Sequence, residues 1–298
     1  MSTIPICQYD AEVLSNREIG PGLYWIDLLA PEITRHALPG HFVHLIASDV
    51  SEESSRQTWL RHTPLLRRPF SIAERDPERG VFGLIYRIVG GGTEILATRR
   101  RGERVDVLGP LGRTFEPVRA GRPVVMVAGG VGVAPFLSLA QETARDGRAR
   151  PAEMTVLFGA ATAGLLSGEE KFREYGVDVR LATDDGTTGH HGLVTELLER
   201  ELASSPRRCA YLYACGPTPM MRRCQEIARE AGIDGQVSLE GIMPCGVGVC
   251  MACVVACADP DADPSAAPSA AHGEPSSSRR YERVCDAGPV FDMQEVVL

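Results

Sequence analysis

An unbroken apolar run, Val124-Val125-Met126-Val127-Ala128, stands directly before Gly129-Gly130-Val131-Gly132-Val133-Ala134-Pro135 and a helical stretch from Phe136 to Arg145. No other feature constrains the fold as much, because a continuous apolar strand suits a parallel sheet covered on both faces. The glycines let the backbone approach a pyrophosphate, and the helix start supplies partial positive charge. The loop departs from the G-x-G-x-x-G fingerprint but shares its physics. Further strands are expected at Met154 to Phe158, Asp178 to Ala182 and Tyr211 to Ala214. They end in Gly159-Ala160, Thr183-Asp184-Asp185-Gly186 and Cys215-Gly216-Pro217. Singly, each is an ordinary connection. In order after a glycine loop, they predict a nucleotide site at the carboxyl ends of an open sheet.

The first third reads as strands. Tyr24 to Leu29, His41 to Ala47 and Val81 to Val89 carry β-branched and aromatic residues between Gly and Pro punctuation, which predicts a small antiparallel barrel. Within it, Arg67-Arg68-Pro69-Phe70-Ser71-Ile72 sets cations, a rigid ring, an aromatic and a hydroxyl side by side. After Ile85-Tyr86-Arg87, Gly90-Gly91-Gly92-Thr93 leads into a short helical run, Glu94 to Thr98. That start suits a bound phosphate, although the same glycines also suit a tight turn.

Cys245, Cys250 and Cys253 follow the C-x4-C-x2-C spacing of a plant-type [2Fe-2S] loop. The intervening Gly246-Val247-Gly248-Val249 has little bulk, so the chain can wrap tightly and aim backbone N–H groups inward. Two residues compete to be the fourth ligand: Cys257, in a strand leaving the loop, and Cys285, where a strand enters the turn Asp286-Ala287-Gly288-Pro289. Cys285 is the favoured one. Zinc is the rival metal, yet its usual pair of Cys-x2-Cys hairpins is reduced here to one. Disulfides are disfavoured, because Met1 to Asp10 lacks a signal-peptide pattern and no apolar run nears twenty residues. A cytoplasmic chain with reduced thiols is expected. Cys7, Cys209, Cys215 and Cys224 read as small buried or surface residues.

A length of 298 residues leaves room for two or three modules. The net charge of −8, with no basic stretch interleaved with aromatics, argues against a nucleic-acid partner, and no segment suggests a membrane span. Arg99-Arg100-Arg101 reads as a solvated helix end. Ala258 to Arg280 is nearly all Ala, Ser, Pro, Asp and Glu, so it is expected to be a mobile insertion between the third and fourth candidate ligands. Closure cost grows only logarithmically with loop length, so the insertion is compatible with Cys285.

Together, Arg68-Pro-Phe-Ser71, Gly90-Gly-Gly-Thr93, Gly129 to Pro135 and Cys215-Gly-Pro217 resemble the ferredoxin reductase superfamily, in which a flavin-binding barrel precedes a pyridine-nucleotide domain. With Cys245 to Cys253 and Arg283-Val-Cys285-Asp-Ala-Gly-Pro-Val-Phe291, the chain is similar to the electron-transfer subunits of class 1B dihydroorotate dehydrogenases from about Val13 to Val297. It departs from them at Ser51 to Thr63 and at Ala258 to Arg280.

The resemblance implies a multi-domain chain: an antiparallel β-barrel for FAD over residues 1–117, an α/β parallel-sheet NAD domain over 118–240, and a small [2Fe-2S] module over 241–298. FAD would be held by Arg68, Pro69, Phe70, Ser71, Ile85, Tyr86, Arg87, Gly92 and Thr93. Of these, Arg68 and the Gly92 and Thr93 amides would face the pyrophosphate, and Ser71 and Tyr86 the flavin and ribityl. NAD(H) would lie at Gly129, Gly130, Gly132, Cys215, Gly216 and Pro217, and the cluster at Cys245, Cys250, Cys253 and Cys285. No catalytic side chain is singled out. NAD is preferred over NADP, since no cation follows Phe158 until Lys171, and Asp184 and Asp185 would repel a 2′-phosphate.

The implied partner is a separate FMN-containing (β/α)8 subunit that oxidises dihydroorotate in pyrimidine biosynthesis, in a heterotetramer of two of each. Such a barrel needs on the order of 250 residues, for which this chain has no room. The alternative is a related flavin and iron-sulfur subunit serving a transhydrogenase or an oxygenase. A zinc-binding adaptor on a nucleotide-sensing fold is the reading furthest from it.

Overall fold

The computed structural model describes residues 5–46, 66–147, 149–204, 209–258 and 279–298. Alternating burial in the amino-terminal strands sends one face of each inward, as at Ala11 and Val13 in β1 (Cys7–Gly20). The others are β2 (Leu23–Leu29), β3 (Phe42–Ile46), β4 (Arg68–Asp76), β5 (Val81–Arg87) and β6 (Arg104–Leu111). They close into a barrel in the order β1-β2-β5-β4-β3-β6, every neighbouring pair for which a register is given being antiparallel. Closure removes exposed strand edges, and Ile26, Leu28, Val43, Phe82, Leu84 and Val107 fill the interior with no exposure. Helix α1 (Pro31–His36) buries Ile33 and Thr34.

Helix α2 (Gly91–Ala97) begins before the predicted Glu94. The Thr93 hydroxyl explains the early start: it accepts the N–H of Val89 at 2.9 Å and of Gly90 at 3.3 Å, capping donors that a helix cannot satisfy internally.

The second sheet has the order β10-β9-β8-β7-β11-β12-β15. Its strands are β7 (Val124–Gly129), β8 (Met154–Ala160), β9 (Asp178–Thr183), β10 (His190–His191), β11 (Tyr211–Cys215), β12 (Gly235–Ser238) and β15 (Val290–Asp292). All neighbours pair parallel except β12 with β15. Successive strands run outward from β7 to one side and then resume at β11 on the other, so the switch point lies between β7 and β11. Helix α3 (Ala134–Asp146) carries Pro at its start and ends at Gly147, whose φ of 64° suits glycine. It packs between this sheet and the barrel. On the opposite face lie α5 (Val194–Ser204) and α6 (Thr218–Ala231), with α4 (Glu169–Glu174) beside β9.

Charged side chains fasten the barrel to the sheet. Arg75 of β4 pairs with Glu142 of α3 at 2.7 Å, and Lys171 of α4 pairs with Glu74 at 2.8 Å while lying 4.8 Å above the Trp25 ring. The lysine expected to be the first cation after Phe158 thus serves the domain interface.

The carboxyl-terminal segment is built into the body. β13 (Val254–Ala258) and β14 (Arg279–Arg283) form an antiparallel pair, and β15 extends the second sheet. Gln225 of α6 donates to the carbonyls of Met293 and Val296, holding the last residues down. Sequence reading did not anticipate β15 as a sheet member. Nor did it anticipate that Ala258, Arg279 and Arg280, assigned to the insertion, belong to paired strands. The rest of that insertion and the Ser51 to Thr63 stretch lie outside the described residues.

Candidate functional site

Two cavities and a cysteine loop meet where barrel, sheet and carboxyl-terminal segment converge. The first cavity, about 480 Å³, lies against β4, β5 and the start of α2. Arg68, Pro69, Phe70, Ser71, Ile85, Tyr86, Arg87, Gly92 and Thr93 all line it. The ladder explains this gathering: β4 and β5 are neighbours in the barrel, so residues distant in sequence share one wall. Arg68 donates to the carbonyls of Leu66 and Arg67 and has no acidic partner among the described residues, which leaves its charge available to an anion. Tyr86 stacks on Tyr24 with ring centroids 5.4 Å apart and donates to Asn16 at 2.9 Å. Burial, with a smaller push from the neighbouring Tyr24, outweighs the lowering effect of the Asn16 hydrogen bond and raises its phenol above the ordinary range, so it stays neutral.

The second cavity, about 700 Å³, opens at the switch point. Gly129, Gly130 and Pro217 line it, whereas Gly132, Cys215 and Gly216 do not. These three pack beneath it: a Cβ on Gly132 would overlap the Cys215 carbonyl, so glycine there lets the loop after β7 lie on the end of β11. Cys215 is almost wholly buried, and desolvation raises its thiol well above the usual value. Asp184 lines the cavity, while Asp185 accepts from Thr187 and serves the turn.

Sequence reading missed Arg223, which also lines this cavity. The signal was the helical spacing of Pro219, Met220 and Arg223, legible only once α6 is placed along the cavity wall. Arg223 is engaged by Glu199 and Glu226, both at 2.8 Å.

Arg87, Val131 and Glu240 line both cavities, which therefore share a wall. Glu240 is exposed as a residue, yet the surrounding walls desolvate its carboxyl enough to raise its pKa.

The cysteine loop sits behind the first cavity. Gly246 and Gly248 take φ of 72° and 76° and Met251 takes 58°, a left-handed succession that turns N–H groups inward. Burial would raise the Cys245 thiol, but N–H donors from Cys250, Val247 and Val249 outweigh it and hold the group at about 6. Gly248 donates to Cys285 Sγ at 3.1 Å, and burial, with Cys253 alongside, pushes that thiol up to about 12. The donors thus stand as two pairs, Cys245 with Cys250 and Cys253 with Cys285. Among the described residues no three His, Cys, Asp or Glu side chains group as they would around a metal ion. Inward amides and four soft sulfurs nevertheless fit an iron-sulfur cluster, whose charge such donors offset. Cys257 has no exposure and packs in the same core as Cys253 and Cys285, held on β13 opposite Arg280 and bridged to Val296.

The oxidoreductase NAD-binding domain family matches residues 126–226. Among solved structures, a chain of the NADH-dependent reduced ferredoxin-NADP oxidoreductase superposes with a TM-score of 0.76 at 27% identity, covering 96% of this chain and 89% of that one. The cytochrome b5 reductase domain of Ulva prolifera nitrate reductase shares the fold, with a TM-score of 0.58 at 18% identity over 80% of this chain and 96% of that one. The electron transfer subunit of dihydroorotate dehydrogenase B (NAD(+)) from Desulforamulus reducens is 37% identical over 97% of this chain and 98% of its own length. That from Bacillus cereus strain Q1 is 36% identical over 96% and 97%. With 36–37% identity and near-complete coverage of both chains, the chain belongs to the family of dihydroorotate dehydrogenase B (NAD(+)) electron transfer subunits.

Proposed function

We propose that this chain carries electrons between NAD(H) and a dihydroorotate dehydrogenase catalytic subunit, with FAD in the barrel cavity, NAD(H) in the switch-point cavity and a [2Fe-2S] cluster in the cysteine loop. The observation that carries this reading is the wall shared by the two cavities, which lets a flavin ring and a nicotinamide ring face each other. Nicotinamide exchanges a hydride and a cluster one electron at a time, so bound flavin supplies the conversion between them.

The chain's own residues do the holding. Arg68 and the amides at Gly92 and Thr93 would take the FAD pyrophosphate, and Ser71 and Tyr86 the flavin and ribityl side. Gly129, Gly130 and Pro217 would contact NAD(H), with Gly132, Cys215 and Gly216 supporting them from below. Cys245, Cys250, Cys253 and Cys285 would ligate iron. A division at 1–117, 118–240 and 241–298 follows these three holding groups, with β15 of the last segment lending its strand to the second sheet.

The partner reading rests on the surface around the loop. Cys250 is exposed, and Ile242, Val249, Met251 and Tyr281, in or near the loop, are exposed too. Apolar surface of that kind suits a protein contact. An FMN-containing catalytic subunit docking there, two of each per assembly, would complete the electron path in pyrimidine biosynthesis. The cytoplasm is the proposed location; among the described residues no helix is long and apolar enough to cross a membrane. A subunit serving a transhydrogenase is the second reading, favoured by the 0.76 TM-score above.

The test is anaerobic purification with a visible spectrum, cofactor release and acid-labile sulfide analysis, followed by reconstitution with the catalytic subunit. FAD, two iron and two sulfide per chain, and NAD-linked dihydroorotate oxidation are expected. Zinc without sulfide would overturn the cluster, and co-purification with another enzyme would overturn the partner.

A further inference from the structure

His44, on β3, is fully buried, and among the described residues neither ring nitrogen has a hydrogen-bond partner. Such a side chain is costly, because a buried donor that has left water without a replacement forfeits its hydration. Its surroundings explain where the missing partner belongs. The ring lies tilted against Phe42, centroids 5.5 Å apart, and Phe42 lines the barrel cavity. On its other side the ring abuts the cysteine loop: a Cβ on Gly246 would stand 2.6 Å from Cε1, 2.8 Å from Nδ1 and 3.0 Å from Nε2. Gly246 therefore lacks a side chain at the place the imidazole fills, and its φ of 72° also suits glycine. In either neutral tautomer the imidazole offers one N–H, and Arg67 is bonded to the His44 carbonyl rather than to its ring.

We propose that His44 is a positioning residue of the iron-sulfur centre, donating its ring N–H to a sulfur of the cluster or of Cys245 and thereby raising the potential of the cluster. The inference rests on the cluster reading above. Two observations support it independently: the orphaned ring nitrogens, and a loop glycine carved to the shape of that ring. A donor to sulfur favours the reduced, more negative state, so its removal lowers the potential. The position between Phe42 and Gly246 also places the ring on the side of the cysteine loop facing the barrel cavity.

The test uses the full chain, purified with its cofactors and labelled with ¹⁵N only at histidine. Pulsed EPR of the reduced cluster is expected to show a weak ¹⁵N coupling that disappears in His44→Phe. Redox titration is expected to give a lower cluster potential in His44→Phe, with His44→Gln, which keeps an N–H donor, lying closer to the original. Absence of any histidine coupling in the unmutated protein, or one common potential for all three proteins, would overturn the role of His44. If His44→Phe fails to fold, the labelled unmutated protein and His44→Gln decide the matter. Absence of a [2Fe-2S] spectrum in the unmutated protein would overturn the cluster reading itself.

Discussion

Exchanging Cys257 and Cys285 for serine, one at a time, tests which of the two is the fourth ligand of the proposed cluster. Cys257 sits in β13 opposite Arg280 of β14 and also bridges Val296, with no exposure. Its backbone is fixed by both pairings, and no hydrogen bond or thiol contact joins it to the cysteine loop among the described residues, whereas Cys285 accepts from Gly248 of that loop. Cys257→Ser instead places a hydroxyl where a thiol packed among apolar side chains. An unpartnered buried hydroxyl costs about 1–3 kcal/mol, which for a chain of 298 residues lowers the unfolding midpoint by roughly 2–5 °C. The cluster spectrum per chain should not change. Cys285→Ser removes the sulfur that accepts from Gly248 at 3.1 Å, and the visible spectrum of the cluster should be lost or strongly perturbed. NADH oxidation by dyes that draw on the flavin should survive in that variant, while NAD-linked dihydroorotate turnover should not. Thermal unfolding followed at two wavelengths, one for protein and one for cluster, reads both variants. A lost cluster in Cys257→Ser with an intact one in Cys285→Ser would refute the reasoning.

Replacing residues 259–278 by a short Gly-containing turn should keep the cluster spectrum, because Ala258 and Arg279 are already directly paired and a tight turn can join them; its loss would show that the segment has a structural role. NADH should outperform NADPH in kcat/KM with a dye acceptor, since Glu199 and Glu226 engage Arg223 at the cavity wall. Replacing both glutamates by glutamine should narrow that ratio by about tenfold, or ~1.4 kcal/mol, and equal ratios before and after would refute the assignment. Burial, and secondarily Arg75, lower His41 from 6.5 to about 4. Its folded pKa lies below its unfolded one, so its contribution of about 3 kcal/mol is full above pH 6.5 and disappears as pH falls towards 4. His41→Asn, which keeps an acceptor for the Leu38 N–H, should flatten the dependence of urea midpoints on pH over that window, and an unchanged slope would count against it.

The barrel, the parallel sheet and the order of the motifs were legible in the sequence because each rests on local periodicity. The apolar run at Val124 to Ala128 and the alternation in β1 state which faces are buried without reference to anything distant. The glycines before Thr93 and after Ala128, and the spacing of Cys245, Cys250 and Cys253, similarly announce chemistry within a few residues. What tertiary structure alone decided depends on contacts between distant segments. Only the fold of α6 along the switch point brings Arg223 to the switch-point cavity. Only the pairing of β12 with β15 makes the last residues part of the sheet. Only the closure of the barrel sets His44 against Gly246, two hundred residues away in sequence. No periodicity encodes these contacts, since a buried histidine on a strand has the same local pattern whether it faces a core or a cofactor.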